Sequence, residues 1–327
     1  MVPVLDDIHP FEYRDLEMGR KGSGGKLKNT WELVKETFKS FSQRDPFRNA
    51  AVIAYFAIFS LPGLLVIVIN VAGYFMDREE LVGTVTGQVT ELIGPKVAED
   101  IDRIISKAGE SGNTTIANIV SIATLIFGAT GIFFHVQKTL NIMWGVEAEP
   151  ERKFLKVLRD RLFSFGMILG IGFLLVISLL LSSLLASFNT WISSNLFPEA
   201  GLLFQLLDLA LSLAVITVVF AAMYRFLPDA RLAWRDVFVG ALVTTFLFLL
   251  AKYALSFYFS QAEPGSVYGA AGSIVLVMLW VTYTGIILLL GAEFTLTYAK
   301  RKGSKIELPE HASWRDGDPK EKERKVE

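Results

Sequence analysis

The sequence predicts an all-α polytopic membrane protein: a six-transmembrane-helix bundle with an N-terminal interfacial amphipathic helix and an extracytoplasmic helical hairpin. Three observations predict it. Of the 327 residues, 52% are hydrophobic, and they gather in runs longer than a soluble core requires. Charged residues are cleared from the middle of those runs. Lysine and arginine then swing from dense to nearly absent between one connecting segment and the next.

A hydrocarbon core about 30 Å thick takes roughly 20 apolar helical residues to cross. Six stretches are long enough: 51–75, 116–134, 162–187, 202–222, 237–259 and 269–297. The first three contain no Asp, Glu, Lys or Arg; the last three contain one each, Asp208, Lys252 and Glu293. Leu, Ile and Phe without strict alternation favour helices over a transmembrane barrel. The polar first fifty residues and the late, long first span do not read as a cleavable signal peptide. Pro62 lies near the middle of the first span, where a missing donor and a ring clash predict a kink, either packing relief or a gating hinge.

Charge sets the orientation. Segments 1–50, 135–161, 223–236 and 298–327 hold 27 Lys and Arg between them, whereas 76–115, 188–201 and 260–268 hold 4. Basic residues are retained on the cytoplasmic side, so six crossings with both termini cytoplasmic follow.

Outside the spans, 1–50 is a cytoplasmic segment in which Leu27, Trp31, Val34, Phe38 and Phe41 recur at helical spacing beside Lys26, Lys28, Lys35 and Lys39. That pattern predicts an amphipathic helix on the cytoplasmic leaflet, with docking on the bundle as the alternative. In the outer loop 76–115, Leu81, Val82, Val85, Val89 and Leu92 suit one short helix. Val97, Ile101, Ile104 and Ile105 suit a second that starts near Pro95. The tail 298–327 is polar, charged and proline-containing, which predicts disorder.

Polar groups inside a bilayer are costly and point to bundle interiors or water cavities. Asn70, Asp208 and Lys252 fall at matching depths, roughly 8–11 Å inside the outer boundary at 1.5 Å per residue. They are candidate substrate-binding residues, with Asp208 and Lys252 either paired or separately satisfied by snorkelling and a hydroxyl. Near the inner face, Glu293 and Arg225 complete the candidate substrate-binding residues as an inner polar layer, and Glu293 could also oppose Arg225 or Lys138 as a gate or a structural pair. His135, at the edge of span two, is a candidate gating residue or merely hydrogen-bonded. Small-residue patterns at Gly166/Gly170 and Gly265/Gly269 suggest close helix contacts.

Several chemistries are excluded. No cysteine is present and only three histidines, His9, His135 and His311, occur far apart, so neither a disulfide nor a metal cluster is expected. No Walker loop, HExxH or GxSxG motif occurs. No cofactor is expected, and a net charge of −1 does not suggest nucleic-acid binding.

One set of residues carries a resemblance. Ala54-Tyr55, Leu61-Pro62, Leu140-Asn141 and Trp144 belong to it, followed by Tyr224, Leu227-Pro228, Trp234, Gly240-Ala241 and Tyr253. Tyr268-Gly269, Gly272, Trp280, Tyr283 and Gly291-Ala292-Glu293 complete it. Over roughly 30–300 the chain resembles the YihY/virulence factor BrkB family of bacterial inner-membrane proteins. The resemblance implies a six-helix protein for which lipid export or flipping, ion exchange and serum resistance have been proposed. Some relatives carry a ribonuclease name, which the missing His and Asp cluster argues against here. Trp280 and Tyr283 then become candidates for packing or hydrogen bonding inside the bundle, and Glu293 combines motif membership with a costly position.

The expected function is therefore a non-enzymatic transporter or lipid-translocase-like protein of the inner membrane, moving a polar-headed lipid or another envelope solute. A non-transporting envelope scaffold and a proton-coupled cation exchanger are the alternatives. Membrane lipids are the expected partners, with a homo-oligomer left open.

Overall fold

A computed structural model describes residues 26–72, 78–110, 131–132, 134–148, 166, 170, 174, 201–262, 268, 271–308 and 312–314. Most of the second and third predicted spans therefore lies outside the described residues. So do the side chains of 61–72, Pro62 and Asn70 among them.

Helix α1 (Lys26–Ser42) leads through a short break into α2 (Pro46–Ala72). Asp45 makes the break with φ 48°, a left-handed conformation that Asp tolerates better than most residues. Its carbonyl accepts from the Asn49 amide at 3.1 Å, and Pro46 needs no donor at the first turn. Two shorter helices follow, α3 (Arg78–Ile93) and α4 (Pro95–Glu110), joined by Gly94 alone. Helix α5 covers 134–144 and runs into strand β1 (Val146–Ala148). The remaining elements are α6 (Gly201–Phe226), α7 (Trp234–Ala262), α8 (Gly272–Arg301) and strand β2 (Ala312–Trp314).

Among the described residues, three helices are long and apolar enough to cross a membrane by length and composition: Leu206–Phe226, Trp234–Phe259 and Gly272–Arg301. Helix α7 also exposes Phe238, Leu242, Phe246, Leu250, Tyr253 and Phe257 at three- and four-residue intervals. At 1.5 Å per residue this stripe is about 28 Å long, close to the thickness of a hydrocarbon core. In water such a surface would be a liability; against acyl chains it costs nothing.

Helix α8 is the hub, packed against α1, α2 and α7, while α6 packs on α7. Two apolar clusters sit at opposite ends. In one, Leu81, Ile93, Val97, Ile101 and Ile105 of the α3–α4 hairpin cover Phe259, Leu276 and Val277. The apolar spacing read in 76–115 thus forms two helices that use this face for packing. In the other, Phe41, Leu140, Met143, Trp144, Tyr224, Leu232 and Leu296 meet.

Within the stretch 298–327, predicted to be disordered, the described residues 298–308 and 312–314 are held in place; the rest of the stretch lies outside the described residues. Helix α8 continues to Arg301 and stops at Gly303, whose φ of 70° suits a residue without Cβ. The Ser304 amide then bonds the Ala299 carbonyl at 3.0 Å and the Gly303 amide bonds that of Lys300 at 3.0 Å, closing the helix end. Beyond the cap, Arg231 and Glu307 exchange backbone hydrogen bonds of 2.8 and 3.2 Å. Strand β2 pairs antiparallel with β1, setting Trp314 opposite Val146 and Ala312 opposite Ala148. Charge density had suggested disorder, but backbone pairing and the packing of Ile306 and Leu308 on the core leave no trace in composition.

Candidate functional site

Four segments meet at the α8 C-terminal end: the α1–α2 break, α5 with β1, the α6–α7 connection, and residues 299–308 with 312–314. They are the four that the charge pattern assigned to one side. Asn141 donates to Asp229 Oδ2 at 2.7 Å and accepts from the Asp229 amide at 2.8 Å, while Gln137 donates to Asp229 Oδ1 at 3.3 Å. Lys302 Nζ lies 3.5 Å from Asp236 Oδ1, whose carboxylate is buried in the first turn of α7 and also suits the helix N-terminal dipole.

The Gly291-Ala292-Glu293 motif on α8 lies inside this end, and each residue has a separate task. A Cβ on Gly291 would run into the Thr244 and Tyr224 hydroxyls. The reciprocal contact occurs one turn away, where a Cβ on Gly240 would run into Thr295. Each helix therefore offers a glycine to the other's threonine. The threonines are fixed by donating back along their own helices, Thr244 to Gly240 O at 2.7 Å and Thr295 to Gly291 O at 2.6 Å. Tyr224 adds α6 by donating to Leu288 O at 2.8 Å and lying 3.0 Å from Thr244 Oγ1. A close approach of α7 and α8 at small residues was legible in kind but not in place. Gly166 and Gly170 would meet nothing within 4 Å, and Gly265 and Gly269 lie outside the described residues.

Ala292 supplies its carbonyl to Trp144 Nε1 at 3.1 Å, tying α5 to α8. Glu293 is 1% exposed. Its partner is neither Arg225 nor Lys138 but Arg44, whose Nε lies 3.7 Å from Oε2. Oε2 itself accepts no hydrogen bond, so the pair is held by charge alone at that atom. Arg44 also donates to Ile142 O at 2.7 Å and to Met143 O, which locks the α1–α2 break onto α5. In the sequence Arg44 is one of nine basic residues in 1–50, and only the turn at Asp45-Pro46 marks it out.

Arg225 instead donates to the Leu232 carbonyl and lies 5.6 Å from the Trp234 ring centre, bracing the α6–α7 connection. His135 stacks on Phe56 at 3.8 Å, ten residues into α2. Trp280 meets Phe248 edge-on at 6.4 Å within the bundle. Tyr283 does not join it there: it is 44% exposed.

Towards the other end, Asp208 and Lys252 do not pair. Lys252 Nζ lies 6.0 Å above the Tyr253 ring, and Asp208 Oδ1 is shielded from solvent with no hydrogen-bond partner. Among the described residues no group of three or more His, Asp or Glu side chains is placed to hold a metal.

Residues 37–315 match the family described as Virulence factor BrkB. The chain belongs to that family. Among curated relatives, "Putative ribonuclease-like protein YfkH" of Bacillus subtilis (strain 168) is 27% identical over 85% of this chain and 99% of its own. A UPF0761 membrane protein of Pseudoalteromonas atlantica is 26% identical over 79% of this chain and 83% of its own. Another, of Psychromonas ingrahamii, is 26% identical over 86% and 92%. No solved structure matches. The chain is thus an integral membrane protein of the BrkB family, and the family match spans both the glycine–threonine contact and the Arg44–Glu293 pair.

Proposed function

We propose that this BrkB-family chain is a non-enzymatic transporter of the bacterial inner membrane, moving a polar-headed lipid or another envelope solute. In this reading six helices cross the bilayer and both termini are cytoplasmic. The meeting of four basic segments at one end of the bundle supports a shared cytoplasmic side. Asp208 carries the transport reading. Its neighbours Leu206, Leu207 and Leu209 are exposed on an apolar helix, while its own Oδ1 is shielded and unpartnered. An unsatisfied polar atom at membrane depth costs several kcal/mol, and a cationic or hydroxyl-bearing headgroup passing it would relieve that cost. Lys252, and Asn70 at the same sequence depth, would contact the anionic part of such a headgroup.

The ribonuclease-like name of one relative is not carried over. Hydrolytic RNA cleavage by metal or histidine chemistry needs clustered ligands or paired bases, and the chain has three dispersed histidines and no cysteine.

Reconstitution into liposomes with a headgroup-labelled lipid tests the proposal. Wild-type protein should accelerate exchange between leaflets over empty liposomes, and Asp208→Asn or Lys252→Ala should cut that acceleration at least about tenfold, the loss of one charged contact. Wild-type rates equal to those of empty liposomes would exclude lipid transport.

One observation favours a scaffold as second reading. Leu140, Met143, Trp144, Tyr224 and Leu289 are all fully buried at the α8 C-terminal end, a tight core suited to holding a shape. A stable protein partner crosslinked to the chain, with no transport, would support it.

A further inference from the structure

Helix α1 has two faces of different use. Thr37 and Phe41 are buried, with Leu33 and Val34 half-buried beside them, and this side docks on α8. At 100° per residue, Trp31 and Phe38 share another face about two turns long. They are 70% and 53% exposed. Lys35 and Lys39, also exposed, border that face on the side away from the bundle.

The acids of α1 are turned elsewhere. Glu36 Oε2 lies 2.7 Å from Arg301 Nε, and Glu32 Oε2 lies 4.0 Å from Arg301 Nη1. Arg301 is the last residue of α8, and it also donates to Asn29 at 3.0 Å. Thus one arginine at the end of a membrane-length helix draws both glutamates of α1 towards itself, Glu36 closely and Glu32 at the limit of an ion pair, and fixes α1 across that end. The rings of Trp31 and Phe38 and the amines of Lys35 and Lys39 remain exposed beside one another.

We propose that the Trp31–Phe38 face of α1 lies on an anionic lipid leaflet, with the rings at the headgroup–acyl boundary and Lys35 and Lys39 on the lipid phosphates. The occupant follows from three features. The helix is pinned where a bilayer-spanning helix ends, so a membrane surface is within reach. Trp and Phe between lysines match the layered polarity of an interface. With Glu36 and Glu32 drawn to Arg301, the charge bordering the two rings is that of Lys35 and Lys39, which complements phosphate. The inference stands apart from the transport reading, since a scaffold would use the same anchor.

The chain has no cysteine, so a single introduced thiol reports its own surroundings. Phe38→Cys and, independently, Trp31→Cys are labelled with bimane in the full chain and placed in nanodiscs of phosphatidylcholine, alone or mixed with phosphatidylglycerol. The emission should shift to the blue and be quenched by lipids brominated on the acyl chain, more strongly when phosphatidylglycerol is present. Lys35→Gln and Lys39→Gln should each weaken the phosphatidylglycerol effect, on the order of fivefold per lysine. Water-like emission at both positions would overturn the proposal. So would blue-shifted emission that brominated lipid does not quench, since protein would then cover the face, and so would indifference to phosphatidylglycerol.

Discussion

Gly291 of α8 abuts the Thr244 hydroxyl of α7 with no room for a Cβ between them. The same arrangement in reverse, Gly240 against Thr295, makes this contact the fulcrum of the helix pair. It explains the glycine of the Gly-Ala-Glu motif without any appeal to a ligand. Gly291→Ala should destabilise the protein by about 1–3 kcal/mol, the usual cost of overpacking a filled site. Thr244→Ala in that background should restore part of the loss, and the coupling can be read as a double-mutant cycle on unfolding in detergent.

Removing Arg44 strands the Glu293 carboxylate among apolar helices, whereas Arg44, a quarter exposed and bonded to the Ile142 and Met143 carbonyls, keeps partners when Glu293 is lost. Arg44→Ala should therefore cost about 3–5 kcal/mol, whereas Arg44→Met combined with Glu293→Gln should cost distinctly less. Melting temperatures of the three proteins rank the outcomes. Equal losses for the single and the double variant would show that packing, not charge, holds this corner.

Trp144 is 1% exposed, and its indole N–H is satisfied by the Ala292 carbonyl. Trp144→Phe keeps a ring but leaves that carbonyl short of a donor and opens a void. A loss of about 1–3 kcal/mol is expected, measured by denaturant or thermal unfolding. Trp144→Ala should be worse, at about 3–5 kcal/mol.

The pairing of Arg231 with Glu307 predicts a local effect of shortening the chain. Removal of residues 304–327 should speed hydrogen exchange at the Arg231 amide, which now bonds Glu307 O at 2.8 Å. Exchange at the α7 amides near Thr244 should stay slow, because their protection comes from the helix pair.

Much of this arrangement was legible in the sequence wherever it depends on period. The spacing of Leu81, Val85 and Val89, and of Val97, Ile101 and Ile105, predicts two helices with one buried side each, as they occur. Apolar length likewise places α6, α7 and α8. Pairings between distant segments were not legible. Arg44 and Glu293 are 249 positions apart by their numbers, and nothing local distinguishes Arg44 from the basic residues that set orientation. Arg225 looked the nearer partner because both it and Glu293 lie close to span ends, yet the backbone carbonyl of Leu232 claims its guanidinium. The glycine–threonine contact escaped because the pattern sought was glycine with glycine along one helix. The close approach instead combines a glycine and a threonine four residues apart on each of two helices.

In the proposed topology the bundle lies across a bilayer, with the four basic segments on the cytoplasmic side and the α3–α4 hairpin on the other. Single cysteines at Gly87 and Lys305, labelled in whole cells with a membrane-impermeant maleimide, test it most directly. Labelling at position 87 in intact cells, and at 305 only after permeabilisation, is the predicted result; labelling of both positions from the same side would contradict it.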